Sequence, residues 1–143
     1  CSLKEAAEFI SSYFKSFPKI KEWEKDVLEK TREKGFVENE HGRKRWFEYA
    51  DSSHPRYQAE IARMAVNMPL QGLGADIIKL AMTETSKHAK LLLSIHDELL
   101  FEGAPKDLRA VSPEIKRIME TAVSFQVPLV VEVKEGKNWG ELK

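Results

Sequence analysis

The sequence predicts an α+β protein in which a helical front part precedes a small, mainly antiparallel sheet. Two observations support this class. Through the front part of the chain, apolar side chains recur every three or four positions, which is the period of an amphipathic helix. In the last third, short apolar runs are separated by polar turns, which is typical of strands.

The composition is that of a folded globular chain. The 143 residues include 23 basic and 23 acidic side chains, and 42% are hydrophobic. The single cysteine, Cys1, excludes an intrachain disulfide and a multi-cysteine zinc site. No apolar run approaches the roughly 20 residues of a membrane helix. Because the net charge is zero, any nucleic-acid contact must come from local patches of basic residues. We therefore expect a cytoplasmic protein with no membrane partner.

Capping signals predict two helices at the front of the chain. Ser2 and Glu5 have the spacing of a capping box, in which two side chains satisfy the first free N–H groups of a helix. Pro18 suits the first turn of a second helix, and Gly35 suits its end. The runs 35–38 and 44–47 then predict a short hairpin.

A long helical pattern follows and contains a proline. We expect one helix at about 56–67 and another at about 71–85, with a break or kink at Pro69, which cannot donate a helical hydrogen bond. The second helix is apolar nearly all round, so it is predicted to be buried. Gly72 and Gly74 in its first turn would admit a close neighbour or a ligand.

The back third predicts strands and one more helix. The runs 90–95 and 99–102 read as two strands joined by a polar turn. Ser112 as a cap and Pro113 in the first turn predict the start of a helix. The run 128–133 predicts a third strand.

The polar turn itself is the first candidate site. His96, Asp97 and Glu98 are three consecutive ionisable residues between two apolar strands. They fit a solvated turn, and they also fit a site for Mg²⁺, which prefers oxygen ligands. Adjacent strand residues point to opposite faces, so only one carboxylate is expected to ligate an ion. A lone carboxylate is a poor Mg²⁺ site, so other ligands would have to come from elsewhere.

Two further groups of polar residues are candidates for ligand contacts. Arg63, Asn67 and Gln71 are each four residues apart and would form a stripe on a continuous helix. The stripe fits a solvated face or a row of donors to nucleic-acid edges. Arg43 and Arg45, with Lys44 between them, fit either phosphate contacts or a charged hairpin tip.

Other catalytic motifs are missing from the sequence. There is no H-E-x-x-H metal motif, no phosphate-cradling G-x-x-x-x-G-K-[ST] loop and no G-x-S-x-G elbow. Trp23, Trp46 and Trp139 are expected to be packing anchors rather than stacking platforms for bases.

Several motifs, in one order, resemble the C-terminal part of a family A DNA polymerase of the bacterial DNA polymerase I type. They are residues 63–72 (RMAVNMPLQG) continuing into 75–79, residues 95–102 (IHDELLFE), and the stretch from 127 to 139. Residues 35–45 also resemble the family's G-Y-V-x-T-x-x-G-R-R stretch. The resemblance extends over essentially the whole chain.

The resemblance implies part of a right-hand polymerase fold. Residues 1–88 would be a helical fingers-type segment with a short hairpin near 36–47. Residues 89–143 would be palm-type strands and a helix that carry the family's motif C. Both parts would belong to one continuous polymerase domain.

The resemblance also implies roles for individual residues. Asp97 would be a catalytic metal ligand, and Glu98 a second catalytic carboxylate closer to the primer end. His96 and the stripe formed by Arg63, Asn67 and Gln71 would contact primer–template DNA, largely from the minor-groove side. The basic residues Arg43 and Arg45 would also bind DNA.

The implied reaction is two-metal phosphoryl transfer with deoxynucleoside triphosphates. One Mg²⁺ would activate the primer 3′-hydroxyl, and the other would stabilise the leaving pyrophosphate. The chain departs from the family pattern in lacking the second palm carboxylate motif, D-Y-S-Q-I-E, and the fingers helix that holds the incoming nucleotide. Within the matched region, Ala62 replaces a common glutamate, and Leu73-Gly74 replaces a common T-A.

We therefore expect the C-terminal portion of a DNA-directed DNA polymerase that is catalytic only with a missing N-terminal portion. That portion could be cut off or encoded by another gene. One alternative is a non-catalytic nucleic-acid-binding remnant or accessory module, in which Asp97 is only a turn residue. A third is an α+β protein with no nucleic-acid role.

Overall fold

A computed structural model describes residues 2–142, so the expectations for Cys1 lie outside the described residues. Four α-helices and two antiparallel hairpins occur in this part of the chain, which confirms the α+β class. The helices are α1 (Leu3–Ser16), α2 (Pro18–Lys34), α3 (Pro55–Thr85) and α4 (Pro105–Glu120); the strands are β1 (Phe36–Glu38), β2 (Lys44–Trp46), β3 (Lys90–Ile95) and β4 (Glu98–Glu102). A 3₁₀ turn lies at Trp139–Glu141.

The chain divides into two compact units between Leu73 and Gly74. This division falls inside α3. No helix within residues 2–142 combines the length and the apolar character needed to cross a membrane.

The capping signals at the front set the ends of α1 and α2. The Ser2 hydroxyl accepts a hydrogen bond from the Glu5 backbone N–H at 3.2 Å, and the Glu5 carboxylate accepts one from the Ser2 N–H at 2.7 Å. Pro18 opens α2, and Gly35 ends it with φ 73°, a left-handed conformation that glycine adopts without steric cost. The predictions for both helices are confirmed.

The core of the first unit forms where α2, the β1–β2 hairpin and α3 meet. Val27 of α2, Val37 of β1 and Ala65 of α3 are buried together with Phe47 and Ala50. Partly buried apolar side chains surround this cluster: Trp23, Leu28, Ile61, Met64 and Met68. The packing of the hairpin against α3 positions the basic residues that the sequence singled out.

The expected division into two helices at Pro69 is wrong, because α3 is one continuous helix from Pro55 to Thr85. Proline removes the hydrogen bond that residue 69 would donate to the Ala65 carbonyl, and its ring crowds that carbonyl, although its fixed φ suits a helix. Ala65 before it and Ala81 after it are fully buried, so packing on both sides outweighs the lost bond. The helix 71–85 is also less buried than expected, since Leu80 is 46% exposed.

The last helix starts earlier than predicted. We expected Ser112 and Pro113 to open it, but α4 begins at Pro105 and contains Pro113 in its interior. Pro105 occupies the first turn, where a missing N–H costs nothing, and Asp107 lies in the same turn. The stronger start signal therefore lies eight residues upstream of the predicted one.

The predicted third strand at 128–133 is not present, because that segment has no strand partner among the described residues. Its Val131 N–H donates instead to the Glu120 carboxylate of α4 at 3.0 Å. Glu135, further along, accepts a hydrogen bond from Arg109 of α4 at 2.9 Å. Val130 is 83% exposed. The sheet of the second unit is thus the β3–β4 hairpin, in which Leu92 forms a bulge.

Candidate active site and nucleic-acid interface

His96 and Asp97 form the two-residue turn between β3 and β4. Ile95 pairs with Glu98 in the last rung of the ladder, so only these two residues connect the strands. His96 has φ 53°, a left-handed conformation that histidine adopts more readily than most non-glycine residues. The tight turn therefore presents the Asp97 carboxylate at the tip of the hairpin rather than along a strand.

All three residues of the His96-Asp97-Glu98 motif are exposed. None of their side chains has a hydrogen bond or an ion pair to another residue between 2 and 142, so each is available to a ligand. Asp97 lies in the turn, and Glu98 is the first residue of β4. One carboxylate thus belongs to a turn residue and the other to a strand residue, although the two residues are adjacent in sequence.

These donors fit a divalent cation only in part. Within residues 2–142, no three His, Cys, Asp or Glu side chains come close enough together to hold a metal ion. Mg²⁺ takes six oxygen ligands and usually needs one or two carboxylates together with substrate phosphates. The second unit therefore offers a metal ion one or two carboxylates, those of Asp97 and Glu98. Further ligands would have to come from another polypeptide or a substrate.

Continuity of α3 through Pro69 places Arg63, Asn67 and Gln71 on one helix face. Eight residues separate the first from the last, which corresponds to about 12 Å along a helix axis. All three side chains are exposed, and none has a hydrogen bond or an ion pair to another described residue. The first unit thus carries a row of side-chain N–H donors that no other described residue uses.

Arg43 and Arg45 lie against α3. The Arg45 guanidinium lies 2.8 Å from the Met64 sulfur, measured from Nη2, and over the Phe47 ring at 5.8 Å. Cδ of Arg43 lies 3.4 Å from the position that a Cβ of residue 72 would occupy. Met64 and Gly72 are the neighbours of Arg63 and Gln71 in sequence. The hairpin therefore brings two cations to α3, beside both ends of the polar stripe.

Gly72 of α3 lies close to side chains of the hairpin loop. A Cβ there would lie 3.3 Å from Asn39 Nδ2 and 3.5 Å from the terminal methyl of Met68. The expectation of a close neighbour at Gly72 is confirmed, and the neighbours are side chains. Gly74 has no described atom within 4 Å of its Cβ position.

Asn39 is a positioning residue that the sequence analysis missed. Its side-chain oxygen accepts hydrogen bonds from the backbone N–H groups of His41 at 3.1 Å and Arg43 at 2.9 Å, and the residue is 7% exposed. An asparagine three residues before Gly42 is a recognised turn signal, because the short amide side chain can bond to nearby backbone.

The expectation that the tryptophans are packing anchors holds for Trp23 only. Trp23 packs against the core of the first unit. Trp46 is 69% exposed and Trp139 is 56% exposed. The candidate residues also fall into two sets, since the stripe and the hairpin arginines belong to the first unit and His96, Asp97 and Glu98 to the second.

Comparison with known proteins identifies the family. The model of DNA polymerase family A matches residues 1–141. The chain is 44% identical over 149 residues to DNA polymerase I of Caldicellulosiruptor bescii and 39% identical over 141 residues to the thermostable DNA polymerase I of Thermus aquaticus. These alignments cover 99% and 95% of the chain.

A solved structure is similar over the same range. The POL domain of Pol1 from M. smegmatis, solved in complex with DNA primer-template and dNTP, superposes with a TM-score of 0.90 at 32% identity. The superposition covers 99% of this chain and 26% of that one. The chain spans only 18% and 17% of the length of the two curated relatives. On the family match and these similarities, the chain belongs to DNA polymerase family A.

Proposed function

We propose that this chain is the C-terminal fingers-and-palm portion of a template-directed DNA polymerase. It would act with an N-terminal polymerase portion to add deoxynucleotides to a primer 3′ end. The family membership supports this proposal, and so does the small fraction of its relatives' length that the chain covers. The observation that carries it is the Asp97 carboxylate, exposed and without an ion pair among residues 2–142, at the tip of a tight hairpin.

In this proposal, residues 1–88 form the fingers-type segment and residues 89–143 the palm-type segment. Asp97 supplies one carboxylate ligand to a pair of Mg²⁺ ions, and the N-terminal portion supplies the others. When bound, Mg²⁺ provides Lewis-acid activation of the primer hydroxyl and charge neutralisation at the pyrophosphate. Glu98, next in the chain, is proposed to lie nearer the primer end and to hold it in position.

The polar stripe of α3 is proposed to contact the primer–template near its growing end. Arginine, asparagine and glutamine all carry N–H donors, and the minor-groove acceptors of correct base pairs are nearly alike. Donors on Arg63, Asn67 and Gln71, with His96, could therefore test pairing geometry without reading the sequence. Arg43 and Arg45 would add phosphate contacts, whose contribution falls with salt.

The solved neighbour was captured with primer-template DNA and dNTP, which supports the same two partners for this chain. We further propose a cytoplasmic location and a part in DNA replication or repair. The competing function is a non-catalytic nucleic-acid-binding module, which would keep the stripe and the hairpin arginines but leave Asp97 without a role.

Primer extension after reconstitution separates these functions. The 143-residue chain is assayed with Mg²⁺, deoxynucleotides and a primer–template, first alone and then mixed with the N-terminal portion of a polymerase I. We expect extension only from the mixture. Robust synthesis by the chain alone would contradict the dependence on a second polypeptide. DNA binding without extension in the mixture would favour the non-catalytic module.

A further inference from the structure

The pairing register of β3 and β4 changes by one residue on the way to the turn. Near the open end of the hairpin Leu91 faces Phe101, but Leu93 then faces Leu100. Leu92 is therefore an extra residue with no partner on β4, which makes it a β-bulge. Bulges are over-represented beside active sites, where they re-aim a side chain. The position of this bulge directs attention to the turn that it precedes.

The bulge and the length of the turn are linked. With the register of the open end, the last rung of the ladder would join Ser94 and Glu98, and a three-residue turn would lie between them. The bulge moves that rung to Ile95 and Glu98, so that only His96 and Asp97 connect the strands. The ladder thus leaves one residue unpaired while the turn is kept to two residues.

A turn this short needs an unusual backbone conformation, because two-residue hairpin loops commonly require positive φ. His96, with φ 53°, is the one non-glycine residue between 2 and 142 that has it. A left-handed conformation brings the Cβ of an L-residue close to the following carbonyl oxygen. Glycine avoids this contact, and histidine and asparagine tolerate it better than most residues. The steric cost of the turn therefore falls on residue 96.

The His96 side chain does not hold this conformation in place. It is exposed, and it has no hydrogen bond, ion pair or ring contact to another residue between 2 and 142. The constraint acts on its backbone, through the Ile95–Glu98 rung that closes the turn. Asp97 follows directly, so a rotation about the Cα–C bond of residue 96 turns the next peptide and moves the Asp97 carboxylate.

We propose that His96 is a positioning residue for the Asp97 carboxylate and that it acts through its left-handed backbone. The proposal rests on the proposed function for the reaction, in which Asp97 holds catalytic Mg²⁺. A displacement of about 1 Å near the reacting atoms can lower a rate about a hundredfold, so the conformation of residue 96 affects kcat. The primer–template contact proposed for the imidazole is a separate role, which affects DNA affinity.

Four variants separate the backbone of residue 96 from its side chain. His96→Gly and His96→Asn keep access to positive φ, whereas His96→Gln and His96→Val disfavour it. Asparagine and glutamine carry an N–H donor, and glycine and valine side chains carry none. The positioning role predicts that kcat follows the first division. A DNA contact by the side chain predicts that primer–template affinity follows the second.

Primer extension by the reconstituted polymerase measures kcat. The glycine and asparagine variants should retain a kcat close to that of the wild type. The kcat of His96→Val should lie about 5- to 100-fold below that of His96→Gly. The smaller factor corresponds to the steric cost of a left-handed L-residue and the larger one to a misplaced catalytic group. If the valine variant folds poorly, the asparagine and glutamine variants still decide, since both carry an amide and differ in their tolerance of positive φ.

Two readouts on the 143-residue chain alone do not depend on activity. In NMR spectra of the wild type, residue 96 should show the strong intraresidue HN–Hα NOE that accompanies positive φ. Thermal unfolding should show His96→Gly to be more stable than His96→Val. Ser94, an exposed residue of β3 that pairs with Leu99, is the matched control. Strands favour valine over glycine, so Ser94→Val should be at least as stable as Ser94→Gly, the opposite order.

Three results would overturn the positioning role. They are equal kcat values for His96→Gly and His96→Val, the same order of stability at residues 94 and 96, and a weak intraresidue NOE at residue 96 of the wild type. With normal extension by the wild-type mixture, each of them would leave the proposed polymerase function standing. Absence of extension by the wild-type mixture would instead overturn the polymerase function, and the role of His96 with it.

Discussion

The side-chain oxygen of Asn39 accepts a hydrogen bond from the backbone N–H of Arg43 at 2.9 Å. The same oxygen accepts one from His41, so a single buried amide fixes the loop that leads into β2. Asn39 also lies against Gly72 of α3. This arrangement couples the position of the hairpin cations to the helix that carries the polar stripe.

Replacing Asn39 by alanine should destabilise the chain. Two backbone N–H groups would lose their acceptor in a partly buried loop, a cost of about 1–3 kcal/mol. Asn39→Asp keeps the accepting oxygen and should recover part of this loss. Urea unfolding of the three proteins measures the difference. An alanine variant as stable as the wild type would contradict the role of Asn39.

Gly72 and Gly74 of α3 allow a matched comparison of two alanine substitutions. Gly74→Ala should stabilise the chain by up to about 1 kcal/mol, because alanine favours helix and its Cβ enters open space. Gly72→Ala gains the same propensity but places its Cβ 3.3 Å from Asn39 Nδ2 and 3.4 Å from Arg43 Cδ. It should therefore be less stabilising than Gly74→Ala. Equal effects in thermal unfolding would indicate that the loop does not press on α3.

Acid should weaken the start of α1. Hydrogen bonds from the Ser2 backbone and hydroxyl lower the pKa of Glu5 below its ordinary value of 4.5. Because the folded pKa is depressed, this contribution to stability is present above pH 4.5 and is lost as the pH falls through the folded pKa. An NMR titration of the Glu5 carboxyl should give a pKa below 4.5, which Ser2→Ala should raise. An identical pKa in both proteins would argue against the capping box.

Arg63→Ala should weaken duplex binding by about tenfold, the scale of one hydrogen bond from a charged donor. Arg117→Ala is the control, since Glu114 already holds that guanidinium through two hydrogen bonds at 2.6 and 2.8 Å. Its loss should change duplex affinity by less than about twofold. Fluorescence anisotropy at one fixed salt concentration compares the two. If both variants bind DNA equally well, the stripe is not a DNA contact.

Signals confined to one turn of chain predicted their structures correctly. The Ser2–Glu5 box and Gly35 act through hydrogen bonds and backbone conformation within four residues, so no distant part of the molecule can reverse them. The hairpin at 90–102 follows similarly from two apolar runs that flank polar residues, but the predicted three-residue turn is one residue too long, because Glu98 pairs with Ile95 and opens β4.

Features that depend on distant partners were not predictable in the same way. Pro69 and Pro113 read as helix boundaries, but packing along the rest of each helix outweighs one missing hydrogen bond. The valine-rich run 128–133 has strand propensity, yet a strand also needs an edge to pair with, and α4 side chains bond this segment instead. The exposed position of Trp46 depends in the same way on what the rest of the fold leaves uncovered.

The most direct test of the account is the Asp97→Ala variant in the reconstituted polymerase. Loss of a carboxylate that holds catalytic Mg²⁺ should lower the primer-extension rate by about a thousandfold or more. Primer–template affinity should be unchanged, because Asp97 is not proposed to contact DNA. Glu102→Gln at the other end of the same hairpin, where Glu102 pairs with Lys90, should extend primers normally. An Asp97→Ala enzyme with the turnover of the wild type would contradict the assignment of Asp97 to the active site.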